Sequence, residues 1–167
     1  EPLPQTTALS LLAIDKKSNK TLVEKNINIS LAPASTAKLM TAIISLDIYD
    51  LEEVLAVSDY CTEVEGTKAF LPVNKIFKVK DLLNSMLIGS AGDSACVLAT
   101  SKMSEQDFVE KMNEKVNSLG MTSTHFSNPV GLDDAYGNNY SNTLDLYKLA
   151  VYATSISEIK KIVGTKD

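Results

Sequence analysis

A length of 167 residues suits one domain with a real core, and 44% apolar with 22% charged residues is the balance of a globular protein. The net charge of −5, with no basic cluster to offset it, argues against a nucleic-acid partner, because phosphate binding wants a cationic face. No apolar run approaches the roughly 20 residues of a membrane-spanning helix, and residues 1–4 lack the basic start and apolar core of a signal peptide, as a mature, processed chain would.

Apolar and β-branched runs at residues 7–14 and 21–24 flank the polar stretch Asp15-Lys16-Lys17-Ser18-Asn19-Lys20, which predicts a β-hairpin. The chain then crosses through residues 26–32 and enters a helix near Ser35 that fades near Tyr49 and Asp50. Leu55, Ala56 and Val57 read as a short strand, and residues 61–70 as a polar loop carrying Gly66. Apolar and polar residues alternate over 71–79, which suits a small hairpin or an extended segment. Asp81 is expected to cap a short helix over residues 82–88, whose near lack of charge predicts burial on most sides. Gly89-Ser90-Ala91-Gly92 breaks it, and residues 93–101 resume as a small-residue helix.

Ser104 to Asp107 has capping character. Phe108, Val109, Met112, Val116 and Leu119 then recur at helical spacing until Gly120, the clearest amphipathic pattern in the chain. Residues 125–132 read as a loop and 133–142 as polar and turn-rich. Thr143 is expected to cap a helix through Leu144, Leu146, Leu149, Ala150 and Tyr152, and Ser157 a last one through Ile159 and Ile162. Strands at the start and helices after them, with no repeat or linker, indicate a single domain of α+β class. A lone hairpin makes no stable sheet, so further strands or heavy packing by helices are required.

Cys61 lies beside Tyr60 in a polar stretch, and Cys96 lies inside the apolar Ala95-Cys96-Val97-Leu98-Ala99. Two free thiols are the expectation, because a domain of this size does not need a staple, and cysteine usage leaves the compartment open.

The stretch with chemical content is Pro33-Ala34-Ser35-Thr36-Ala37-Lys38-Leu39-Met40-Thr41-Ala42. Ser35 and Lys38, three apart on a helix, share a face. A serine hydroxyl needs a base within hydrogen-bond reach to act as a nucleophile, and a partly desolvated lysine one turn away can supply it. The pattern Ser-x-x-Lys alone is weak. Ser157-Glu158-Ile159-Lys160 also matches it and reads as an N-cap serine on a solvated helix, and a capping serine with a surface lysine is the competing reading of the first copy. Ser90, at the break between two apolar stretches, either points into a cleft or caps a helix. His125, the only histidine, would have to serve any Ser-His-Asp triad, and its loop context favours structural hydrogen bonding. No Cys/His spacing, carboxylate cluster or Gly-rich loop points to a metal, nucleotide or other cofactor, and Asp133-Asp134 reads as a solvated turn.

With these residues in view, the chain resembles the serine D-alanyl-D-alanine carboxypeptidases among the low-molecular-weight penicillin-binding proteins, whose nucleophile motif is Ser-x-x-Lys. The similarity runs in order through residues 33–42, Leu82-Leu83, Ile88-Gly89-Ser90, Asn113 and Leu119-Gly120-Met121-Thr122-Ser123-Thr124-His125-Phe126. It continues through Asn128-Pro129-Val130-Gly131-Leu132 and Tyr140-Ser141-Asn142-Thr143-Leu144-Asp145-Leu146. The resemblance implies the penicillin-binding-protein and β-lactamase-like transpeptidase fold, and acyl transfer on peptidoglycan stem peptides ending in D-Ala-D-Ala. It implies Ser35 as nucleophile, Lys38 as base, Ser90 as proton relay, β-lactams as covalent inhibitors and an extracytoplasmic location.

Two departures accompany it. The family's Ser-x-Asn motif reads here Ser90-Ala91-Gly92, so the substrate-orienting amide is replaced by Gly92. No Lys-Thr-Gly occurs in these residues, and Gly164-Thr165-Lys166 resembles the stretch upstream of that motif. The expectation is therefore an incomplete DD-peptidase domain over residues 1–167 lacking C-terminal sheet strands, with an open sheet edge for a second copy or a complementing fragment. The alternative function is a catalytically impaired relative that binds cell-wall peptide or a partner, and a β-lactamase is a distant third.

Overall fold

In the computed structural model, which describes residues 6–133 and 137–166, the predicted hairpin consists of β1 (Leu11–Asp15) and β2 (Lys20–Lys25). The strands are antiparallel, with Leu11 opposite Lys25 and Asp15 opposite Lys20. Asp15 closes the turn by accepting from the backbone N–H and the hydroxyl of Ser18, while Asn19 takes the left-handed conformation that asparagine tolerates. A second antiparallel pair joins β3 (Val54–Ala56) to β4 (Ile76–Lys78), with Leu55 opposite Phe77. These two-stranded sheets hold all four strands of the described residues, and the remaining regular elements are helices joined by loops.

The organising element is α1 (Ala37–Ile48), which packs against α3 (Val79–Gly89), α4 (Gly92–Thr100), α5 (Glu105–Ser118) and α6 (Thr143–Ser155). Ala37, Met40, Ala42 and Ile43 are fully enclosed, as expected of a helix apolar on most of its surface. Around it Leu82, Leu83, Met86, Leu98, Phe108, Met112, Met121, Phe126 and Leu149 complete one core. The last helix, α7 (Ser157–Val163), buries Ile159 and Ile162 against α3 and α6. No helix of the described residues is long and apolar enough to cross a membrane.

Several local expectations are corrected. Cys61 and Cys96 are not free thiols but form a disulfide, because Cys61 sits on the one-turn helix α2 (Asp59–Thr62) packed on α4, with the two Cα atoms 5.3 Å apart. That short helix replaces the start of the expected polar loop. Of the two readings of residues 71–79, the extended segment holds and the separate hairpin does not: β4 pairs back to β3, a register that brings the half-buried Phe77 opposite the buried Leu55.

Three caps also differ. Lys78 precedes α3 while Asp81 lies within its first turn, and Asn142 rather than Thr143 caps α6 by accepting from Asp145 N–H at 2.8 Å. The Thr143 hydroxyl is engaged instead with Ser10. Ser157 is the first residue of α7 and bonds the neighbouring Glu158 carboxylate at 2.7 Å, so it caps nothing. Over residues 82–88 α3 is buried or half-buried as expected except at Ile88, which is 60% exposed. Ser104 caps α5 as expected, accepting from Asp107 N–H at 3.1 Å.

Candidate active site

The chain reaches α1 through a 3-10 turn, Ala34–Thr36, in which Thr36 N–H and hydroxyl both bond the Pro33 carbonyl. This turn presents Ser35 at the surface while Lys38, one turn on, is only 4% exposed. The two meet as their spacing predicts: Lys38 Nζ donates to Ser35 Oγ at 3.1 Å and to the Val130 carbonyl at 2.8 Å. Burial pushes the Lys38 ammonium below the usual lysine range, because loss of water disfavours the charged form.

Ser90 is both things the sequence allowed. It is the left-handed residue that ends α3, with φ 57°, and it lines a cavity of ≈ 300 Å³ together with Ser35, Thr36, Lys38, Leu39, Met86, Leu87 and Val163. Among the described residues neither Ser35 nor Lys38 hydrogen-bonds Ser90, so the shared cavity is what brings the three together. Ala34, directly before Ser35, is also left-handed with φ 48°. Both serines are thus presented by backbone that non-glycine residues seldom adopt.

Gly92 opens α4 and is fully buried, with its N–H bonded to the Thr67 carbonyl at 2.8 Å. Beside it Asp93 is fully enclosed and accepts from the N–H groups of Ala69, Leu71 and Ser94 at 3.0, 3.0 and 2.9 Å. Together with the disulfide, these bonds dock the segment that carries Ala69 and Leu71 onto α4. His125 plays no part in this cluster: its Nδ1 lies 2.7 Å from the Asn138 carbonyl, and its ring stacks on Tyr140. Asp133 is exposed, and Asp134 lies outside the described residues.

The residues whose roles the sequence left unread lie in 126–132. Asn113 clamps both the N–H and the carbonyl of Phe126, and Thr41 donates to the Pro129 carbonyl at 2.6 Å. Asn128 Oδ1 accepts from three successive N–H groups, those of Val130, Gly131 and Leu132. An asparagine three residues ahead of a glycine is a turn signal, and it was the one available pointer. Gly131 has φ 86°, and a Cβ there would fall 1.9 Å from the Ala34 carbonyl oxygen, so only glycine fits beside the turn that carries Ser35.

A serine, a buried lysine within hydrogen-bond distance and a second serine in one cavity are the components of acyl transfer through a serine ester. In comparison with known proteins, the model of the D-alanyl-D-alanine carboxypeptidase family matches residues 1–167.

The chain belongs to the D-alanyl-D-alanine carboxypeptidase family.

Relatives in the family include the D-alanyl-D-alanine carboxypeptidase DacF of Bacillus subtilis, 32% identical over 95% of this chain and 42% of its own length. A D-alanyl-D-alanine endopeptidase of Haemophilus influenzae is 35% identical over 93% of this chain and 53% of its own. Among solved structures, a D-alanyl-D-alanine carboxypeptidase from Mycobacterium tuberculosis superposes with a TM-score of 0.92 at 29% identity, covering 99% of this chain and 62% of that one. A mutant of the Streptomyces K15 DD-transpeptidase gives 0.92 at 28% identity, covering 98% and 67%. The fold is therefore that of the penicillin-binding-protein transpeptidases, and the chain spans about half the length of the curated relatives it matches.

Proposed function

We propose that this chain carries the serine-lysine side of a D-Ala-D-Ala peptidase site acting on peptidoglycan stem peptides. The observation that supports it best is the 3.1 Å contact between Lys38 Nζ and Ser35 Oγ, made by a lysine whose burial favours its neutral form. In this reading neutral Lys38 takes the Ser35 proton as Oγ attacks the carbonyl of the penultimate D-alanine. The C–N bond then breaks with proton delivery to the leaving D-alanine through Ser90, and water hydrolyses the resulting ester. The N–H groups at the start of α1 favour the negative charge that develops beside Ser35. A β-lactam would acylate the same oxygen as its ring opens. The buried Cys61–Cys96 disulfide favours an extracytoplasmic location, where such bonds persist.

A second reading, a relative that binds cell-wall peptide or a partner without turnover, is favoured by Gly92. It supplies no amide, and a Cβ at that position would meet Val130 and Val64 at 3.1 and 3.2 Å. We extend the reading to partners as well: the outer edges of the β1–β2 sheet suit a strand from a second copy or from a complementing fragment.

Incubation with a fluorescent penicillin, followed by intact-mass analysis, separates the two functions. A covalent adduct on the native chain that is lost in Ser35→Ala is the expected result. A folded chain that takes no label sinks the enzymatic reading.

A further inference from the structure

Lys38 is held by more than Ser35. Its other bond goes to the main-chain carbonyl of Val130, at 2.8 Å, and among the described residues no carboxylate pairs with it. One hydroxyl and one carbonyl therefore place the amine. Among the described residues no hydrogen bond reaches it from the start of α4, where Gly92 has no side chain and a Cβ would meet Val130 Cγ1 and Val64 Cγ1 at 3.1 and 3.2 Å. Val130 thus closes the position with its side chain and turns its carbonyl toward the lysine.

That carbonyl is aimed by Asn128. The Asn128 Oδ1 accepts from the N–H groups of Val130, Gly131 and Leu132 at 3.2, 2.8 and 3.1 Å, and its Nδ2 donates to the Leu132 carbonyl at 2.8 Å. Gathering three consecutive N–H groups onto one oxygen fixes the turn, and the Pro129 and Val130 carbonyls are left to bond Thr41 and Lys38 on α1. A free amine has two N–H bonds and one lone pair. Committing one N–H to a fixed carbonyl restricts how the amine can turn, so the side that donates to Ser35 Oγ in the charged form presents the lone pair to that oxygen once its proton is lost.

We propose that Asn128 is a positioning residue for the serine-lysine pair, acting through the Val130 carbonyl to orient Lys38. The inference rests on the serine-lysine reading for its catalytic consequence, while the orientation of Lys38 can be measured without it. In Asn128→Ala the rate of acylation by a fluorescent penicillin should fall about a hundredfold, the scale of a reacting group misplaced by about 1 Å. The acid limb of its pH profile should move upward, because a lysine released toward water regains its ordinary affinity for protons.

Asn128→Asp, which keeps the accepting oxygen but sets a carboxylate oxygen where Nδ2 donates to the Leu132 carbonyl, should restore the rate in part. The Lys38 titration is followed independently by side-chain 13C NMR, with Lys38→Arg identifying the signal. It should move upward in Asn128→Ala. If Asn128→Ala does not fold, Asn128→Ser, with an acceptor on a shorter arm, takes its place.

An unchanged Lys38 titration in the folded Ala or Ser variant overturns the proposal, whatever happens to the melting temperature. A native chain that takes no label at Ser35 while Lys38 still shifts removes the enzymatic reading and leaves the positioning role standing.

Discussion

Lys38 is the residue at which stability and chemistry pull apart. Its folded-state affinity for protons is lowered by burial, so between its folded and unfolded titration ranges the unfolded chain binds the extra proton. The contribution of Lys38 is therefore unfavourable at neutral pH and is relieved as pH rises toward the ordinary lysine range. Lys38→Met should accordingly be more stable than the native chain at pH 7, by a margin that shrinks as pH approaches 10. Urea denaturation across that range measures it, and a margin that stays constant would count against a desolvated lysine. The serine-lysine pair was legible because helical spacing alone sets which side chains meet. The Val130 carbonyl was not, since a main-chain acceptor 92 residues away leaves no mark on residue type.

At the scale of elements, amphipathic periodicity located α5 closely, and the hairpin followed from its polar turn. The misplaced features share a cause: caps and cross-links depend on side-chain geometry that several neighbouring residues could satisfy. Asn142 and Thr143 are both competent caps, and only the direction of the chain entering α6 selects the first. The disulfide was missed because α2 is too short to show a period, so nothing in the sequence signalled that Cys61 faces α4. The bridge spans 35 residues, and a loop of that length is worth about 4 kcal/mol in the chain-entropy model. Replacing both cysteines with alanine should lower the unfolding free energy by about that amount. Because α2 leads into residues 64–71, hydrogen exchange should also quicken at the Ala69 and Leu71 amides held by Asp93. Exchange there that matches the native chain would show that the wall behind Gly92 stands without the bridge.

Taken whole, the described molecule is a helical body built on α1 with the β1–β2 sheet against α6, where Leu22 on β2 is 62% exposed and Leu9, just ahead of β1, 66%. Such an edge favours pairing, and sedimentation velocity at rising concentration is expected to show self-association. A monomer that also resists limited proteolysis would contradict it. The α+β class was readable from the order of strands and helices. That β4 pairs with β3 was not, because strand pairing is a matter of partners rather than of local pattern.

The close approach of Gly131 to Ala34 has a meaning for variation across the fold. A side chain of any size at position 131 would collide with the carbonyl one residue before Ser35, so the two segments can diverge only together. A homologous chain bearing a larger residue there must have rebuilt the approach to its serine, and position 131 therefore serves as a one-letter indicator of whether this arrangement has been inherited.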